Sequence, residues 1–463
     1  MSSSNIGPGE PIVAIKQGGA WGERYQVAIV FAIAIAFVIL TRVPVAHRVP
    51  IDPDEIGYLE TIRLAWLPSQ HTLFMASARL LSGLVGDPYR SFLVLDMLVS
   101  GLALTGVWWW LRALVRPSTA TAMTLLLAVT PTFWTYGAMA GNYTAIPLVG
   151  SFLLGVTVRT WREPKLWHPY AAAVVLALGT GYRQDIGLFW LPVFFLILWR
   201  HRWGTALRAI ALFTVLNLAW ILPMLVEAGG WQRYRAINGE YSYQMVYLNS
   251  ILNLGFRDAT LRYGVKLGMA LLWTFGPGLI FIPAGMIRLV RSEPGRPLAA
   301  LLGFSVLPAL AYHLLLAFGV PGYAFHYVPA AVALMAIGAG RAFAAAATSL
   351  TQAQAQDRAP ARLTAIAALL AALFLFYPTN YDRPGVWGEF EVRFCRCTRI
   401  GLQAQMPFRP LSVWRTANTR APHPLRWSES GLADQSAEGR TLTDTSAQSQ
   451  PGSPSLRTDV AQP

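Results

Sequence analysis

Apolar residues in this chain come in long runs rather than in alternation. Stretches of roughly 20 residues, the length that crosses a bilayer core, recur from Tyr25 to Thr41 onwards. The pattern predicts eleven spans, near 25–42, 91–113, 119–137, 143–160, 169–182, 186–200, 205–226, 263–288, 298–318, 325–345 and 363–378, each bounded by Arg, Pro or Gly. Backbone amides find no water in lipid, so each span must be a helix and the fold class is all-α. The first stretch has no small-residue cleavage site after it and reads as an uncleaved helix rather than a signal peptide. The pair 169–182 and 186–200 is short. Its joint, Gly181 to Asp185, holds an Arg and an Asp too costly to face lipid, which predicts a position just inside the outer interface or lining a cavity. Between the first two spans, loop 43–90 contains two segments of helical spacing, Ile56 to Trp66 and Thr72 to Val85, predicted as amphipathic helices lying along the membrane surface.

Composition agrees with this architecture. The 463 residues are 54% hydrophobic and 13% charged, too few polar groups to cover a soluble body of this size. The formal charge of +14 is dispersed between apolar runs, so it reports topology and not nucleic-acid binding. With the N-terminus inside, the cytoplasmic segments hold 16 Lys and Arg and the longer outer segments hold 10. That is the positive-inside bias, and it places loops 43–90 and 227–262 outside. The second of these is rich in Tyr and Asn, which suits either sugar binding or an ordinary aromatic belt.

The membrane domain is predicted over residues 1–378. From 379 to 463 the composition shifts to Arg, Ser, Thr, Gln and Pro, a tail expected to be disordered after about Ser428. Cys395 and Cys397 sit one residue apart, a spacing better suited to an incidental pair than to a disulfide.

Candidate chemistry concentrates just outside the first span. In Ile51-Asp52-Pro53-Asp54-Glu55-Ile56-Gly57-Tyr58, three carboxylates fall within four residues, and their repulsion should raise at least one pKa. A carboxylate tuned in this way can take a proton from a hydroxyl at a membrane edge that both a lipid substrate and a water-side acceptor can reach. Asp52 and Asp54 can equally be caps of the helix that starts near Ile56. Asp96, about five residues into the second span, either faces the same cavity or reaches interfacial water. No His or Cys cluster has metal-ligand spacing; a divalent cation between acids and phosphate oxygens is compatible with the sequence, but no cofactor is required. Nor is there a Gly-rich phosphate loop of nucleotide-binding type.

An inside N-terminus, a first helix, an outer loop that opens on Asp54-Glu55 with Tyr58 three residues on, surface helices and many spans together resemble the GT-C superfamily of lipid-linked-sugar glycosyltransferases, among them the protein O-mannosyltransferases and lipid A aminoarabinose transferases. His71 stands where the family often has a His-Pro-Pro-like segment, although the prolines are absent here. Gly179 to Pro192 is similar to the family's Gly-rich hairpin with a basic residue before an apolar span, and Phe325-His326-Tyr327-Val328-Pro329 to its basic, Tyr, Pro segment. The resemblance implies a polyprenyl-phosphate sugar donor, a lipid, glycan or protein acceptor hydroxyl, and an active site on the periplasmic or exterior face of the cell (inner) membrane. It further implies Asp54 as base, Glu55 as positioning acid, Asp52 as the second choice of base, and Arg183 and His326 as partners of the donor phosphate. Tyr58, His71, Asp96 and Tyr327 are further substrate-binding candidates. Two rival classes share the hydropathy pattern: a secondary transporter, whose charges would gather near the midplane on broken helices, and a non-catalytic assembly subunit of the same fold.

The topology is open to a direct check. Single cysteines at Ser69 and Ser242, in a chain freed of Cys395 and Cys397, should react with a membrane-impermeant thiol reagent in intact cells. Labelling only after lysis would reverse the orientation.

Overall fold

The computed structural model describes residues 20–43, 46, 53–65, 67, 68, 70–345 and 360–370. All of them lie in one contact unit, Met1–Ala404; the second unit, Gln405–Pro463, lies outside the described residues, as do Cys395, Cys397 and the whole expected tail. The regular elements among the described residues are all helical. In order they are α1 (Ala20–Arg42), α2 (Pro53–Leu64), α3 (Thr72–Val85), α4 (Pro88–Leu111), α5 (Pro117–Ala128), α6 (Pro131–Tyr136), α7 (Ala145–Arg162) and α8 (Trp167–Tyr182). There follow α9 (Gln184–Leu198), α10 (Trp203–Glu227), α11 (Trp231–Met245), α12 (Ile251–Leu254), α13 (Phe256–Phe275), α14 (Phe281–Arg291), α15 (Arg296–Leu315), a 3-10 segment at Pro321–Tyr327 and α16 (Val328–Ala345).

The chain is an integral membrane protein. Five helices are individually long and apolar enough to cross a bilayer, and α13 with α14 makes a sixth if the bent pair is one span. The expected runs 143–160, 169–182 and 186–200 form α7, α8 and α9, of 18, 16 and 15 residues, which are not among these candidate spans. α9 has 15 residues, about 22 Å of helix against a hydrocarbon core of roughly 30 Å. The run expected at 119–137 breaks after Ala128 because Thr130 is extended before Pro131, where an αR residue would clash with the proline ring. The run expected at 263–288 bends by 102°. Gly276 sits there at φ 51°, a left-handed conformation only glycine adopts freely, and Pro277 follows without an N–H to donate. Of the last expected span, Pro360–Leu370 is helical and residues 371–378 lie outside the described residues. The segment 227–262, expected as a loop, is occupied by α11, α12 and the start of α13.

Burial separates the centre of the bundle from its rim. The span Pro321–Gly340 is 89% buried and α4 72%, whereas the first span is 17% buried and α10 22%, so α4 and α16 form the centre while α1 and α10 lie at the rim with most of their residues uncovered. Trp110 of α4 donates its indole N–H to the Pro329 carbonyl at 2.9 Å, which joins the two central helices without an orphaned donor. α4 opens with Asp87 accepting the Arg90 N–H at 2.7 Å and with Pro88 at a position where a missing N–H costs nothing. The two surface helices form as expected, α2 starting three residues early and α3 at its expected bounds. Phe74, Met75 and Ala78 of α3 pack under α2 with Tyr58 and Ile62 against Phe92 of α4, while Leu80 and Leu84 on the other side stay exposed. An outward leucine edge is what a helix in the membrane interface requires.

α14 and α16 approach so closely that a Cβ at Gly338 would meet the Phe281 carbonyl oxygen and the Gly285 backbone nitrogen. Small residues at a membrane-helix crossing allow backbones to touch. Gly338→Val should therefore destabilise the detergent-solubilised protein by about 1–3 kcal/mol, seen as a lower melting temperature. Gly264→Ala, in open space on α13, should cause no loss.

Candidate active site

The acidic segment is the first turn of α2. Pro53 opens the helix and Asp54 and Glu55 follow, where the helix dipole favours negative charge. Asp54 is thus inside the helix rather than its cap, and Asp52 lies outside the described residues. Neighbouring helical residues point about 100° apart, and here the two acids take different environments. Glu55 is 1% exposed, and its Oε1 accepts the Ala140 N–H at 2.8 Å and the Tyr89 hydroxyl at 3.3 Å. Asp54 is exposed and lines a small cleft, whose wall includes Tyr58, Tyr136, Met139, Gly141, Tyr143 and Val320.

Arg183 lies behind that wall. It occupies the one extended residue between α8 and α9, so the predicted joint is a single-residue break. Its Nε and Nη2 both donate to Asp185, at 3.2 and 3.1 Å, and Nη1 donates to Asn142 Oδ1. The guanidinium stacks 4.0 Å from the centroid of the Tyr143 ring and is 3% exposed. A bidentate Arg–carboxylate pair of this kind is the form in which a buried guanidinium is tolerated. Burial pushes the Tyr143 phenol well above its usual range, with Arg183 pulling the other way, so the hydroxyl keeps its proton at neutral pH.

The other sequence candidates divide by distance from the cleft. Tyr58 lines it, and His71 packs edge-on against Tyr58 with ring centroids 5.8 Å apart. His71 has the left-handed φ of 52°, and burial, reinforced by Arg183, lowers its pKa to about 3, which leaves it neutral. Asp96 is buried and accepts the Thr144 hydroxyl at 2.7 Å. His326 sits behind Arg183, its Nε2 3.4 Å from Asp185 Oδ2. Tyr327 pairs its hydroxyl with His313 Nδ1 at 2.8 Å and takes no part in the cleft wall. Among the described residues no three His, Cys, Asp or Glu side chains converge as a metal site would require.

No family model matches the sequence, and no curated protein matches it. Its structure is similar to that of ArnT from Cupriavidus metallidurans bound to undecaprenyl phosphate, with a TM-score of 0.52 and 14% identity over 77% of this chain and 73% of that one. The chain shares its fold with that protein. The apo state of the same ArnT aligns with a TM-score of 0.49, at 14% identity over 76% of this chain and 72% of that one. The Archaeoglobus fulgidus oligosaccharyltransferase, tethered to an acceptor peptide containing the NVT sequon, aligns with a TM-score of 0.44, at 12% identity over 77% and 55% of the two chains.

Within this fold, several residues of the site carry little mark in the sequence. Ala140, Asn142, Tyr143 and Thr144 belong to one short connection between α6 and α7, and three buried groups hold them: Glu55 binds Ala140, Arg183 binds Asn142 and the ring face of Tyr143, and Asp96 binds Thr144. The available signal was the polar Asn142-Tyr143-Thr144 between two apolar runs. Removing the Glu55 carboxylate should leave a buried backbone donor without that acceptor. Glu55→Ala should cost about 1–3 kcal/mol, and Glu55→Gln, which retains an acceptor oxygen, distinctly less; paired melting curves in detergent check the order.

Proposed function

We propose that the chain is a glycosyltransferase that moves a sugar from a polyprenyl-phosphate donor to an acceptor hydroxyl at the outer face of the membrane. The observation that carries this reading is the division of labour between adjacent acids: Glu55 is buried and hydrogen-bonded, while Asp54 is exposed in a cleft between α2 and the α6–α7 connection. The GT-C fold, shared with an ArnT solved with undecaprenyl phosphate, supports a lipid-linked donor. The positive-inside bias supports an outward-facing cleft in the cell (inner) membrane.

Chemically, the acceptor hydroxyl attacks the anomeric carbon of the donor as its proton passes to Asp54, and the bond to the lipid phosphate breaks with its electron pair on the phosphate oxygen. Glu55 positions rather than reacts, since its oxygen is committed to the Ala140 amide. The charge that develops on the leaving phosphate needs compensation at the cleft wall. Of the two cation candidates, Arg183 is the nearer, stacked on Tyr143; His326 sits behind it on Asp185. Tyr58 lines the cleft, and His71 packs edge-on against it from behind α2.

Asp54→Asn retains the shape of the side chain and removes its basicity. It should lower single-turnover sugar transfer from a polyprenyl-phosphate donor by about 10²–10⁴-fold, with donor binding and melting temperature near those of the parent. Near-normal transfer by the folded variant would remove Asp54 as the base.

A further inference from the structure

We infer that Tyr143 is a further catalytic residue: its phenol donates a hydrogen bond to the lipid-phosphate oxygen that leaves the sugar, and Arg183 acts through Tyr143 as a positioning residue rather than touching the phosphate itself. This rests on the glycosyltransferase reading and assigns the leaving-group side of the same cleft.

Three observations lead to it. First, the Arg183 guanidinium is committed inward. Two of its nitrogens bind Asp185, the third binds Asn142, and Asp185 neutralises its charge, so little is left over for an anion in the cleft. Second, the same guanidinium fixes Tyr143 twice, through the side chain of the residue before it and through the face of its ring at 4.0 Å. Asn142 is in turn anchored by donating its Nδ2–H to the Tyr182 carbonyl at 3.3 Å. Third, the ring has no room to swing. Tyr136 lies 4.8 Å away centroid to centroid, Tyr323 meets it edge-on at 5.7 Å, and Gly322 passes so close that a Cβ there would stand 2.5 Å from Tyr143 Cδ1. A side chain clamped on all these sides, and lining the cleft with Asp54, is pre-organised in the sense that matters for stabilising developing charge.

The two polar groups then serve opposite ends of one displacement. The bond from acceptor oxygen to anomeric carbon forms while Asp54 takes the acceptor proton, and the carbon–oxygen bond to phosphate breaks with its electron pair on the phosphate oxygen. Tyr143 keeps its own proton throughout. It donates a hydrogen bond to that oxygen, and the guanidinium against its ring face holds it in place to do so. Neutral donors suit a cleft already lined by a carboxylate, because a hydroxyl brings no second buried charge to be desolvated.

The test is a double-mutant cycle on the full-length protein in detergent, with undecaprenyl phosphate as the binding probe and undecaprenyl-phosphate-linked hexoses and pentoses as donors. Tyr143→Phe should weaken undecaprenyl phosphate binding and slow transfer by about ten- to a hundredfold, the range for a hydrogen bond to a charged group. Arg183→Ala should do the same, and the double variant should be no worse than the worse single one, because both changes remove the same contact. Additive losses, with Arg183→Ala still costing tenfold in the Tyr143→Phe background, would make Arg183 a direct ligand and overturn the inference. So would normal binding by Tyr143→Phe. If Arg183→Ala fails to fold, Gly322→Ala takes its place in the cycle: it crowds the ring without touching Arg183, and should weaken binding in the parent but not in the Tyr143→Phe background. A loss of equal size in both backgrounds would overturn the positioning claim. Failure of the glycosyltransferase reading looks different: non-additive binding of undecaprenyl phosphate with no transfer from any of the donors would support the Tyr143 contact while removing sugar transfer. A parent that does not bind undecaprenyl phosphate would overturn both.

Discussion

A buried carboxylate in a membrane protein has to find donors, and Glu55 finds a backbone one. Leaving such an acid without partners costs several kcal/mol, so the 2.8 Å bond from the Ala140 amide ties the start of α2 to the connection between α6 and α7. The remainder of the site follows from that tie. The connection is also bound by Asp96 of α4 through Thr144 and by Arg183 at the α8–α9 break through Asn142. Three elements distant in sequence thereby hold eight residues, Gly137 to Thr144, in one shape. That shape is what sets Tyr143 in the same cleft wall as Asp54.

Much of this was legible in the sequence, for reasons that differ by residue. The long apolar runs fixed the all-α class, because lipid leaves the backbone no alternative. α3 appeared at its expected bounds because its amphipathic period is strong and Gly86, with a φ of 77°, ends it. Asp54 and Glu55 received their separate roles from the family resemblance, not from the residues themselves: a helix turns adjacent residues to different faces, and which of the two is buried depends on where Ala140 lies. Arg183 drew attention as an intramembrane charge, yet its partner two residues on, Asp185, turned it inward. The bend between α13 and α14 was written in Gly276-Pro277-Gly278 but was masked by the apolar residues on both sides, which satisfy a span on composition alone.

Tyr143 shows where such reading stops. Tyrosine in an outer connection of a membrane protein is ordinary, and nothing local distinguishes this one from Tyr136 seven residues earlier. Its role comes from long-range packing, with Arg183 against its face and Gly322 against its edge, and neither contact follows from spacing along the chain. The reverse holds for His326 and Tyr327, which local pattern brought forward. Both are buried, with His326 Nε2 facing Asp185 and the Tyr327 hydroxyl paired with His313, and neither is part of the cleft wall. Burial and hydrogen-bond commitment together sort candidates that residue type alone leaves equal.

The central claim is that the cleft between Asp54 and Tyr143 is where the sugar leaves its lipid phosphate. A structure of Asp54→Asn, unable to complete the reaction, with an undecaprenyl-phosphate sugar bound tests it most directly. The account predicts the anomeric carbon in the cleft, the leaving phosphate oxygen within hydrogen-bond distance of the Tyr143 hydroxyl, residue 54 on the opposite side of the sugar, and Glu55 still bonded to the Ala140 amide. A donor phosphate seated away from this wall, or a sugar outside the cleft, would contradict it.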